Sequence, residues 1–143
     1  MNFKSQICTT KEQSERLLAL GLKKVTADCV VTSIGSKDRL IHTEEPIYVT
    51  ESLNSKRIPN YPAWSFHRLI EMMPSNIIEN ERRYNFSLGH GCSLYTYDEI
   101  NEFGYYEYDC IGTSKITSNL YNDLINQIEW LIKEGHFNKE YLN

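Results

Sequence analysis

Between residues 116 and 132 apolar side chains recur at every third or fourth position: Ile116, Leu120, Tyr121, Leu124, Ile125, Ile128, Leu131 and Ile132. That period places them along one stripe of an α-helix, with Asn119, Asn122, Asp123, Asn126, Gln127 and Lys133 mostly on the opposite side. Thr117 or Ser118 is the expected cap. Gly135, with Phe137 beyond it, supplies a left-handed terminator and its hydrophobic contact. Upstream the period changes to two. Tyr84, Phe86 and Leu88 alternate with Asn85 and Ser87, the pattern of a half-buried strand. Gly89–His90–Gly91 then turns the chain, residues 92–97 return, 98–104 connect, and 105–111 form a further strand.

The first half is less regular. Thr9 or Thr10 can cap a short helix, with Glu12 or Gln13 completing a capping box, and Gly21 and Leu22 close it. Residues 25–49 read as extended chain: Cys29, Val30, Val31, Thr32 and Ile34 are strand formers, and 35–38 carry turn residues before Leu40 and Ile41. Ile47–Tyr48–Val49 resume that extended pattern after Pro46, and residues 51–61 form a polar loop. Pro62 to Pro74 reads as a short helix bounded by prolines, bearing Trp64, with Ser65 as an alternative cap. Consecutive strands without regular strand–helix alternation predict an α+β fold, an antiparallel β-meander packed by a C-terminal amphipathic helix plus two shorter helices. No repeat or linker divides residues 1–143, so one domain is expected.

Composition narrows the setting. No apolar run approaches the roughly 18 residues of a membrane span, and the first residues do not resemble a secretory signal, which predicts a cytoplasmic protein without membrane association. The four widely spaced cysteines fit reduced thiols better than a disulfide framework. The formal net charge of −4 conceals an asymmetry: Asp98, Glu99, Glu102, Glu107 and Asp109 occur in residues 84–112, which contain no Lys or Arg. Such a segment repels polyanions, and the basic residues elsewhere form only isolated pairs, so nucleic acid is disfavoured as a partner.

The segments Thr10 to Leu22, Thr26–Ala27–Asp28, Pro62–Ala63–Trp64–Ser65 running to Met73–Pro74, and Ile128 to Gly135 (IEWLIKEG) together resemble a group of small bacterial proteins of uncharacterised activity, often encoded in phages and integrated elements. The resemblance implies a shared fold and a mobile-element setting, with the host cytoplasm as the compartment. It implies no activity and transfers no catalytic residue.

No residue pattern dictates a reaction. His90 and Cys92, flanked by glycines, are the only weak catalytic candidates, a base and a thiol nucleophile, and a glycine hairpin explains the same residues. The four Cys and four His do not share the short spacings of structural zinc sites, so neither metal nor cofactor is expected. Tyrosines carry more weight. Tyr95, Tyr97, Tyr106 and Tyr108 come from adjacent strands, beside the acidic residues, and tyrosine combines apolar area with a polar tip at low rotamer entropy. Together with Trp64 and His67 they are the expected binding residues. A non-enzymatic binding module for a protein partner or small ligand is the favoured reading, with homo-oligomerisation as a sub-case.

Overall fold

The computed structural model describes residues 6–34, 37–42, 60–89, 92–112 and 119–143. The fold is α+β, with two antiparallel sheets and three helices. The chain forms two compact units, residues 1–71 with 139–143 and residues 72–138.

In the first unit, α1 (Lys11–Ala19) begins at Thr10, whose side chain accepts from the Gln13 amide while the Gln13 side chain accepts from the Thr10 amide. This is the reciprocal capping box read from the sequence. At the other end Leu22 folds back, its amide donating to the Leu17 carbonyl at 3.2 Å. A 3-10 turn (Lys24–Thr26) leads into β1 (Cys29–Ile34), which pairs with β2 (Lys37–His42) on one side and β3 (Asn60–Ala63) on the other. Pro62 lies within β3, an edge strand, the position in a sheet where a missing N–H is tolerated. Helix α2 (Phe66–Glu71) is shorter than the proline-bounded helix expected, and Trp64 precedes it rather than lying on it. A long-range contact sets that boundary. Asp28 accepts from the Ser65 amide at 2.7 Å and from its hydroxyl, and Ser65 Oγ in turn accepts from the Arg68 amide as the cap. The expected strand at Ile47–Val49 falls outside the described residues.

The second unit is a four-stranded meander, β4 (Asn76–Glu79), β5 (Arg82–Gly89), β6 (Cys92–Ile100) and β7 (Tyr106–Ile111), in sequential order. The sequence reading lacked β4. It joins β5 through Asn80 and Glu81, both at positive φ (50° and 66°), as a two-residue hairpin turn requires. Helix α3 (Leu120–Glu134) packs against β6. Its cap is Asn119, whose side chain accepts from the Tyr121 and Asn122 amides, in place of the expected Thr117 or Ser118, which lie outside the described residues. Gly135 adopts φ 81° and ends the helix, and Phe137 is buried behind it. The apolar stripe holds for Tyr121, Leu124, Ile125, Ile128 and Leu131, but Leu120 is exposed, whereas Asp123 and Gln127 are buried. The covered surface of α3 is therefore wider than its apolar stripe.

Candidate functional site: the two sides of the four-stranded sheet

Side chains alternate across a strand, so pairing register decides which residues share a side. Tyr95 pairs with Ile111, Tyr97 with Asp109, Asp98 with Tyr108, and Ile100 with Tyr106. Odd-numbered positions of β6 and β7 therefore face α3, and even-numbered positions face away. The four sequence-predicted tyrosines divide between the two sides.

On the helix side Tyr95 is fully buried. Its ring lies 5.6 Å from that of Phe86 and 6.3 Å from that of Trp130, and its hydroxyl donates to the Pro74 carbonyl at 2.7 Å. Burial raises its phenol pKa. Tyr95 is a core residue, because its position in β6 lies under the helix. The Trp130 ring also approaches that of His136, whose Nε2 is 3.0 Å from Glu79 Oε2.

The same side also carries a polar group, of which the sequence shows Glu107 and Asp109 sharing a strand face but not their partner Arg82. Arg82 approaches Glu107 at 3.1 Å and Asp109 at 4.0 Å, and its guanidinium lies 5.0 Å from the centre of the Tyr97 ring. The Tyr84 hydroxyl donates to Asp109 at 2.8 Å, the Tyr97 hydroxyl to Glu99, and the Asn101 amide group to Glu107 at 3.3 Å. Donating to a carboxylate holds a phenol in its neutral form: the bond to Asp109 raises the pKa of Tyr84 and the bond to Glu99 raises that of Tyr97. Two carboxylates thus face one guanidinium, with 40–47% of the Arg82, Glu107 and Asp109 side chains exposed, and a third, Glu99, is engaged by Tyr97. The alternation of Arg82 with Tyr84, and of Glu107 with Asp109, was the available signal, but it becomes informative only once register is known.

The other side is open among the described residues. Tyr106 and Tyr108 are 65% and 59% exposed, and Ile100, paired with Tyr106, is 68% exposed. Phe103 and Tyr105, in the connection between β6 and β7, are more exposed still. Asn76, Asn85, Arg83, Asp98 and Cys110 complete an uncovered, mixed surface.

The remaining candidates have other roles or other settings. Trp64 is fully buried in the first unit, its Nε1 donating to Thr26 Oγ1 at 3.0 Å and its amide to Thr9 Oγ1 at 2.9 Å. His67, also in that unit, is exposed and pairs with Glu71 at 3.0 Å. His90 and the side chain of Cys92 lie outside the described residues. Cys8 and Cys29 pack with Val31 and Ala63, and burial pushes their thiols up to about 11 and about 12, respectively, the opposite of an activated nucleophile. Among the described residues no group of three or more His, Cys, Asp or Glu is placed to hold a metal ion, and no helix is long and apolar enough to cross a membrane. An open depression of about 530 Å³ in the first unit is lined by Leu18, Leu22, Lys23, Lys24, Val25 and Asn143. Comparison of the chain with protein-family models, with curated proteins and with solved structures gives no match.

Proposed function

We propose that the protein is a non-enzymatic binding module, acting in the cytoplasm, that takes a protein partner on the open side of its four-stranded sheet. One observation carries this reading: Ile100, Tyr106 and Tyr108, with Phe103 and Tyr105 beside them, form a run of large exposed side chains at one end of that sheet. Contiguous exposed aromatic and aliphatic area, interspersed with polar groups, is characteristic of an interface core. An exposed sheet surface suits a macromolecule better than a small ligand, which needs a concavity to bury most of its area. Among the described residues the strands carry one charged group of each sign on the open side, Asp98 and Arg83, so the partner chemistry that fits there is chiefly apolar and aromatic.

Photo-crosslinking tests the reading in cells producing the protein. A benzophenone side chain placed at Tyr108 is expected to give one discrete adduct, and the same group at Glu134, exposed on α3, none. Equal adducts from both positions, or none from Tyr108, overturn it. Light scattering across concentration identifies the homo-oligomeric sub-case, in which the adduct is a second copy.

A further inference from the structure

We infer that the outer edge of β7 is a strand-docking site for an extended segment of a protein partner, in which lysine or arginine alternates with apolar residues. The inference deepens the proposed binding function and rests on it.

The edge follows from the ladder. The Asn101 amide donates to the Tyr105 carbonyl at 2.9 Å, which makes Asn101 and Tyr105 a hydrogen-bonded pair of the antiparallel ladder. Such pairs alternate with non-bonded ones, so Glu107, Asp109 and Ile111 direct their backbone groups at β6, whereas Tyr106, Tyr108 and Cys110 direct theirs away. The Cys110 amide confirms the phase: it turns from the ladder and donates to its neighbour, Asp109 Oδ1, at 2.8 Å. Among the described residues no strand pairs with this edge. The amides and carbonyls of Tyr106 and Tyr108 are thus presented in the spacing that an added strand uses.

The side chains specify what can be added. On the helix side an incoming strand meets Glu107 and Asp109, backed by Glu99 and, among the described residues, countered by Arg82, which selects basic residues at alternate positions. On the open side it meets Tyr106 and Tyr108, which select apolar or aromatic residues between them. A second copy of the chain fits poorly. Two-fold antiparallel self-pairing sets odd positions opposite odd positions, so registers spanning the whole strand bring Glu107 and Asp109 against the same acids of the partner copy.

The probe is a fluorescein-labelled octapeptide alternating lysine and valine, measured by fluorescence anisotropy against the full chain. Two further versions carry N-methyl groups on one or the other alternating set of backbone amides. An added strand turns only one set toward β7, so one version is expected to bind at least tenfold more weakly and the other nearly as well as the parent. Tyr108→Pro removes an outward amide without removing a β6–β7 bond, and is expected to bind the parent peptide at least tenfold more weakly than Tyr108→Ala does. A glutamate–valine counterpart should not bind. Equal binding of both methylated versions overturns edge docking, and if the double variant Tyr106→Ala, Tyr108→Ala then still weakens binding, the open-side reading survives alone. Failure of the lysine–valine peptide to bind at millimolar concentration also overturns the inference, and leaves the crosslinking experiment to decide the broader function. Dimerisation of the chain that Tyr108→Pro abolishes, while the peptide fails to bind, assigns the edge to a second copy and likewise overturns it.

Discussion

Tyr95 and Tyr108 lie on neighbouring strands of one sheet, but on opposite sides of it. The ring of Tyr95 is enclosed by Phe86 and Trp130 and its hydroxyl is fixed on the Pro74 carbonyl, whereas Tyr108 presents most of its surface to solvent. One residue type therefore occupies two environments, packed into the core on the helix side and exposed on the other. The difference comes from parity and register alone: β6 turns its tyrosines under the helix at odd positions, and β7 turns its tyrosines outward at even ones.

The largest effect expected from this contrast is on stability. Tyr95→Ala removes a packed ring and leaves the Pro74 carbonyl without its donor, and should cost about 3–5 kcal/mol in urea unfolding. Tyr108→Ala should cost about 0.5 kcal/mol or less. Comparable losses at the two positions would erase the distinction between the sides.

The helix cover can be probed at Gly112, which has φ +106° and would place a Cβ 2.6 Å from the Gln127 side-chain nitrogen. Gly112→Ala should destabilise the unit by about 2 kcal/mol through backbone strain and displacement of Gln127. Amide exchange along α3 would show whether the helix loosens first.

A third test sets buried thiols of the first unit against solvent. Cys8 and Cys29 release their protons near pH 9.0 when unfolded, but only near 11 and 12 when folded. Between these values the folded state binds more protons, so stability is intact below about pH 9 and declines as pH rises above it. Each thiol contributes a slope of up to about 1.4 kcal/mol per pH unit. Urea midpoints at pH 8 and 10.5, read from Trp64 fluorescence in a Trp130→Phe background, should fall, and should fall less in Cys29→Ala.

The smallest effect lies at the cap. Asn119→Ala removes the acceptor for two amides and should cost about 1 kcal/mol, visible as fraying of the first turn of α3 by amide exchange.

Legibility followed the range of the interactions. The capping box at Thr10, the end of α3 at Gly135 and strands β5, β6 and β7 of the meander depend on neighbours in sequence, and these were readable. Strand β4 was hidden because its turn places Asn80–Glu81 where Asn-Gly would have announced a hairpin. The start of α2 was misplaced because Asp28, 37 residues away, determines where Ser65 caps. The candidate site was legible as a density of tyrosine and acid, and alternation alone puts Tyr106 and Tyr108 on one face of the last strand, but which tyrosines of β6 share that face depends on the pairing between β6 and β7, absent from either strand alone. The same holds for Arg82, whose partners Glu107 and Asp109 are remote in sequence. The burial of Asp123 and Gln127 escaped a reading in which polar means outward.

The bond from the Cys110 amide to Asp109 has a consequence for assembly. A sheet margin with every amide vacant templates without limit, each newcomer offering the same vacancy to the next. On β7 the Cys110 amide is taken by the neighbouring Asp109 carboxylate, so the run of outward amides left for pairing stops at Tyr108. The unpaired run is therefore shorter than the strand, which leaves less margin for edge-to-edge pairing between chains.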